Sequence, residues 1–241
     1  MENIYTAPLE IRFSQCDHSG RLGAEQAFLL CMDLAGTHAA RLGCGVGQLA
    51  ERGLHWVAVK TLLQLRRAPA LGELCTASTW PEAPGRVGNC RNYLLRAGDE
   101  TLLAARTEWA VLDEAGRLQP VRPLYDPDMC FETARALEQP FHRFAGAFPD
   151  APGAEYRVRS TDIDLAGHMN NAAYVRMLLG LYATAELDAL RELEFHYRAS
   201  SREGETLRLF RRETEAGTEY RAANAADETV LLARLTWEAA R

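Results

Sequence analysis

The sequence predicts an α+β chain made of two modules in tandem, each a curled antiparallel sheet wrapped around one long helix. Three observations point there. A short turn motif occurs twice at matching spacing. Each copy runs into a stretch of helical periodicity, and each helix gives way to long strand-like segments separated by turn residues.

The first copy is Cys16-Asp17-His18-Ser19-Gly20-Arg21-Leu22 and the second is Ile163-Asp164-Leu165-Ala166-Gly167-His168-Met169. Asp17 and Asp164 are 147 residues apart, as are Gly20 and Gly167. Both follow alternating segments, 9–14 and 156–160. The helices then match: Phe28, Cys31, Met32 and Ala35 stand at i, i+3, i+4 and i+7, and so do Tyr174, Met177, Leu178 and Leu181. Residues 27–32 are apolar on every side, which predicts a helix covered by other structure. Gly43-Cys44-Gly45-Val46-Gly47 has the look of a phosphate loop. It follows a helix rather than a strand, so it is expected to be a helix C-cap.

Strands are expected in the first module at 54–66, 73–80, 87–96 and 102–112, with turns at 97–100 and 114–117. In the second module they are expected at 192–197, 206–212, 219–223 and 230–237. Two further landmarks repeat in order. Leu65 with Gly72-Glu73 matches Tyr197 with Gly204-Glu205, 132 residues on, and Ala105-Arg106-Thr107-Glu108-Trp109 matches Ala233-Arg234-Leu235-Thr236-Trp237, 128 residues on. Between the halves stand Pro127, Pro140, Pro149 and Pro152. The expected organisation is a module over 1–126, a linker over 127–152 and a second module over 153–241.

Composition narrows the function. The 241 residues are 47% hydrophobic and 25% charged, an ordinary globular mixture with enough apolar material for a core. No run approaches the ~18 apolar residues of a membrane span, and residues 1–13 lack a basic region followed by an apolar run, so no signal peptide is expected. The six cysteines form no CxxC pair and sit at no metal spacing, so they read as free thiols of a reducing cytoplasm. A net charge of −6 argues against nucleic acid as the main partner. Lys60 is the only lysine, so arginine carries nearly all the positive charge. No cofactor is expected, and a homodimer is compatible with everything above.

With these residues in view, the chain resembles the acyl-acyl carrier protein (acyl-ACP) thioesterases, a branch of the hot-dog superfamily. In the first half the resemblance rests on Asp17-x-x-Gly20-Arg21-Leu22, the helix after it, Glu51-Arg52-Gly53-Leu54-x-Trp56-Val57, Thr79-Trp80-Pro81 and Thr107-Glu108-Trp109. In the second it rests on Asp162-Ile163-Asp164-x-x-Gly167-His168-Met169-Asn170-Asn171-x-x-Tyr174, the most specific string in the chain. The resemblance implies hydrolysis of fatty acyl thioesters on acyl carrier protein, or on coenzyme A, by a double hot-dog. Its first module accommodates the acyl chain and its second carries the catalytic groups. By position, Asp164 and His168 match two active-site residues of the family. Two other positions depart: the usual Asn is Ala166, and the usual Glu falls on Ser200.

The chemistry of those residues fits the implied reaction. A thioester carbonyl needs an activated water or a carboxylate nucleophile, and donors for the developing oxyanion. Asp164 can supply the first, and Gly167 leaves room for substrate against the backbone. Amides around Met169, Asn170 and Asn171 at a helix start suit the second. His168 can hydrogen-bond Asp164 or the carbonyl. Ser200 is a supporting candidate, and Trp56 a candidate wall for the acyl tail. Plain structural readings stand beside these: an Asx turn closed by Asp164, a helix cap by Asn170 or Asn171, and a core aromatic at Trp56. Asp162 with Asp164 and His168 is a weaker candidate for metal binding, since no further ligand is in sight. Asp17 reads as structural, because Arg21 occupies the place of His168. No GxSxG is present, so a serine-hydrolase mechanism is not expected.

Overall fold

The structure is a computed structural model that describes residues 3–238. The chain divides between Gln139 and Pro140 into two compact units.

The first unit holds β1 (Tyr5–Glu10), α1 (Ala24–Arg41), α2 (Val46–Ala50), β2 (Leu54–Leu65), β3 (Leu74–Pro81), β4 (Gly88–Ala97), β5 (Glu100–Asp113) and the short β6 (Leu118–Gln119). Its sheet is antiparallel in the order β1-β3-β4-β5-β2, with β6 on β5. The second unit holds β7 (Ala154–Arg157), α3 (Asn171–Leu179), α4 (Thr184–Leu187), β8 (Leu190–Tyr197), β9 (Thr206–Thr214), β10 (Gly217–Ala223) and β11 (Thr229–Trp237). Its sheet is antiparallel in the order β8-β11-β10-β9-β7. Read strand for strand, the two orders are the same.

The repeat extends to single backbone hydrogen bonds. Ile11 donates to Glu73 and receives from Gly72, as Val158 donates to Glu205 and receives from Gly204. Leu22 donates to Pro69 as Met169 does to Ser201, and Gly23 to Gln15 as Asn170 does to Asp162. These pairs keep the spacings of 147 and 132 residues read from the sequence.

Helix α1 buries Ala27, Phe28, Cys31, Leu34, Ala35, His38 and Ala39, and packs on β3. Leu29 stays 37% exposed, so the all-round apolar segment is covered on only part of its surface. The helix ends as its glycines suggest. Gly43 adopts φ +78, its amide donates to Ala40, and Cys44 donates to Ala39, which is the Schellman pattern.

The second helix departs from expectation. It stops at Leu179, so Leu181, the last residue of the apolar stripe, lies outside it and is 39% exposed. Unwinding at Gly180–Tyr182 lets Tyr182 leave the helix path. Its hydroxyl meets that of Tyr220 at 2.5 Å, and its ring lies 4.6 Å from that of Trp237. Packing of one tyrosine thus replaces about two helical turns. No helix among the described residues is long and apolar enough to cross a membrane.

On the sheet faces turned away from α1 and α3 lies the proline-punctuated connector. Along β4, Arg91 faces α1, where it meets His38 at 3.0 Å, and the alternate Asn92 accepts the Ala136 amide at 3.0 Å. Along β8, Tyr197 faces α3, while Glu194 accepts the His142 amide at 2.6 Å. A buried arginine anchors this layer in each unit: Arg106 on Glu82 at 2.7 Å, and its counterpart Arg234 on Glu192 at 2.7 Å. Buried charges of this kind require partners.

The turn that restarts β3 is closed by an ion pair. Glu73 accepts from Arg67 at 2.7 and 3.0 Å and from the Ala70 amide at 2.9 Å. The Arg67 hydrogen bonds are the largest influence that brings its carboxyl down from 4.5 to about 2, with the Ala70 amide adding to it. The folded value lies below the unfolded one. The stabilisation is therefore full above about 4.5 and is lost as pH falls toward about 2. Glu73→Gln should lower stability by about 1–2 kcal/mol at neutral pH and flatten the acid limb, measured by urea unfolding at pH 7 and pH 3.

Candidate active site

The second copy of the repeated turn is built as follows. A 3-10 turn at Ser160–Asp162 brings the chain off β7. The Asp164 amide then donates to the His168 carbonyl at 2.9 Å, and the Gly167 amide to the Asp164 carbonyl at 3.0 Å. Gly167 stands at φ +74, which only glycine adopts without strain. No other group lies within 4 Å of the place a Cβ would take, so it is the backbone angle that demands glycine here. The turn leads directly into α3, whose N-cap is Asn170: its side chain accepts the Ala172 amide at 2.8 Å.

At the tip, the Asp164 side chain is exposed, and its Oδ1 accepts the Ala166 amide at 2.9 Å. The predicted Asx turn is thus present, and it leaves Oδ2 free. His168 is half-buried behind it. The two side chains are not hydrogen-bonded to each other. Among the amides expected to serve an oxyanion, two are already committed. Met169 donates to the Ser201 carbonyl at 2.8 Å and Asn170 to the Asp162 carbonyl at 2.7 Å. The His168 and Asn171 amides carry no such bond.

The floor of the site comes from residues that sequence patterns did not single out. Ser201 is fully buried, and its hydroxyl accepts that of Tyr174 at 2.9 Å. Burial pushes the Tyr174 hydroxyl up, and negative charge on Glu205 and on Asp164 acts in the same direction. Ser200, the supporting candidate, is exposed next to it. The clue available in the sequence was the repeat, which puts Ser201 opposite Pro69.

Asp162, weighed above as a metal ligand, is buried and occupied. It accepts the Tyr156 hydroxyl at 2.7 Å, the Arg159 amide at 2.8 Å and Arg176 at 2.7 Å. Its burial works against the charge, yet these three donors outweigh it and hold the carboxyl below its usual value. Asp162 thus ties the turn to α3. In the first unit, Trp56 is half-buried against the cluster of Leu42, Cys44, Leu49 and Val111, with its indole N–H on the Cys44 carbonyl at 2.8 Å. Asp162→Asn should cost about 1–3 kcal/mol, because Arg176 loses its charged partner, read as a drop in the chemical denaturation midpoint.

Comparison with known proteins bears on this geometry. The acyl-ACP thioesterase N-terminal domain matches residues 2–123, and the acyl-ACP thioesterase C-terminal domain matches residues 150–239. An oleoyl-acyl carrier protein thioesterase of Coriandrum sativum is 26% identical over 178 residues, covering 62% of this chain and 46% of the relative. A palmitoyl-acyl carrier protein thioesterase of Arabidopsis thaliana is 25% identical over 179 residues, covering 66% and 42%. The matches thus span less than half the length of these curated relatives. In fold, the chain is similar to the crystal structure of an acyl-ACP thioesterase from Bacteroides thetaiotaomicron, with TM-score 0.88, 24% identity and 98% of each chain covered. It is also similar to the 12:0-ACP thioesterase from Umbellularia californica, with TM-score 0.83, 18% identity and 99% and 98% covered. Two domain matches, in order and covering both halves, place the chain in the acyl-ACP thioesterase family of hot-dog proteins.

Proposed function

We propose that the protein hydrolyses fatty acyl thioesters, carried on acyl carrier protein or coenzyme A, to free fatty acid and carrier thiol. The observation that carries this is the exposed Asp164 carboxylate, held with one oxygen free at the start of α3 and backed by His168. Water adds to the thioester carbonyl carbon as its proton passes to Asp164. The C–S bond then breaks, and the departing sulfur takes a proton from His168. The His168 and Asn171 amides, unclaimed at the N-terminal end of α3, receive the oxyanion.

Around this centre we place a tandem of hot-dog modules at 1–126 and 153–241, joined by 127–152, each sheet curled about its helix. The division at Gln139–Pro140 and the matching strand orders support that organisation. The first module takes the acyl tail, with Trp56 on its wall, and the protein works in the cytoplasm, alone or as a homodimer. A second reading, an acyl-thioester-binding protein without turnover, is favoured by Ala166 and Ser200 and by the engagement of Asp164 in its own turn.

Thiol release from acyl-ACP and acyl-CoA separates the two readings. Asp164→Asn keeps the acceptor for the Ala166 amide but removes the base. Turnover should fall about a hundredfold with folding intact, since general-base contributions are of that size. A stable Asp164→Asn protein with undiminished thiol release would place the centre elsewhere. Trp56→Ala should shift preference toward longer chains on a panel of acyl lengths, because removing the ring enlarges the space beside the cluster it packs on. An unaltered profile in a folded variant removes Trp56 from the tunnel.

A further inference from the structure

We propose that Glu205 is a positioning residue for this reaction: its carboxylate orients the His168 imidazole, in place of the carboxylate that Ser200 does not supply. The inference rests on the thioesterase reading above and on the internal repeat, which offers each side-chain arrangement twice.

In the first unit, Glu73 opens the turn that restarts β3, and its charge is neutralised. Arg67 grips it with two hydrogen bonds, the Ala70 amide donates a third, and Arg21 is close enough for its charge to stabilise the carboxylate further. Each of these has a counterpart in the second unit. Glu205 corresponds to Glu73, Ala199 to Arg67, Arg202 to Ala70, and His168 to Arg21. The backbone is conserved between the copies, since Ile11–Glu73 and Val158–Glu205 make the same hydrogen bond, at 3.1 and 2.9 Å. The side chains are not. The gripping arginine has become alanine, so the half-buried Glu205 carboxylate makes no hydrogen bond or ion pair among the described residues.

A carboxylate released from its structural partner, yet retained where an arginine has become a histidine, faces that histidine. The Tyr174 hydroxyl is independent support. It lies on Ser201 under the turn and is acted on by negative charge from Glu205 and Asp164 together, so the two carboxylates flank one small region. With one ring nitrogen of His168 held toward Glu205, the other points to the departing sulfur and delivers its proton there. Glu205 itself touches neither water nor carbonyl, and acts through His168, as an orienting carboxylate does for a catalytic imidazole in other hydrolases.

A double-mutant cycle on thiol release from acyl-ACP tests this. Glu205→Gln should lower kcat about tenfold, leave KM within about twofold, and leave the melting temperature unchanged, since no partner is lost. In a His168→Ala background the same change should have no further effect, because its action passes through the imidazole. Glu205→Asp should keep part of the activity, and it serves for the cycle if the glutamine variant fails to fold. Full activity of a folded Glu205→Gln protein, or losses that multiply in the double variant while Asp164→Asn is inactive, overturns the role of Glu205 alone. A wild-type protein that releases no thiol, or an undiminished Asp164→Asn variant, overturns the thioesterase reading and this assignment with it.

Discussion

The candidate site depends on one backbone hydrogen bond, from the Asp164 amide to the His168 carbonyl at 2.9 Å. It closes a turn of five residues that is possible only because Gly167 takes a left-handed conformation. Everything placed there follows from it: Asp164 stands at the exposed tip, His168 behind it, and the chain leaves the turn aimed along α3. Asp162 beneath, clamped by Tyr156 and Arg176, keeps that assembly from swinging on the strand that precedes it.

The same scaffold in the first unit shows what the turn is without chemistry. Asp17 closes it with an equivalent amide bond to Arg21, and its carboxylate is taken up by the Ser19 amide and hydroxyl at 2.9 and 2.7 Å. Where the second copy has alanine at Ala166, no hydroxyl competes for the aspartate. Comparison within one molecule separates what the fold requires, namely the aspartate amide, the glycine and the pinned residue before the helix, from what is free to vary. The varied positions, Arg21 against His168 and Arg67 against Ala199, gather around one carboxylate in each unit.

The connector shows the same economy of partners. Its residues satisfy groups on the faces turned away from the helices, where Trp80 donates to the Ala134 carbonyl at 2.8 Å and His142 bridges Glu219 and Arg234. Proline suits such a segment because its carbonyls and few amides are used by side chains rather than by a ladder. A stretch that looks like a spacer in sequence is thus tied to the sheets by charged and polar contacts.

The sequence alone determined the repeat, its spacings, the turn and the strand succession, because these are written in local residue types: glycine where φ must be positive, alternation where a strand has two faces, and an Asx residue where a turn closes. It also located the string on which the family assignment rests. Tertiary structure decided the rest. The apolar stripe runs past Gly180 to Leu181, and only the contact of Tyr182 with Tyr220 and Trp237 ends the helix early. The amides of Met169 and Asn170 look available at a helix start, and only the approach of Ser201 and the placing of Asp162 commit them. Glu205 is one acidic residue among many until the fold sets it beside the turn without the arginine that holds its twin. In each case the deciding partner lies far along the chain or across a turn, and local pattern carries no record of such pairings.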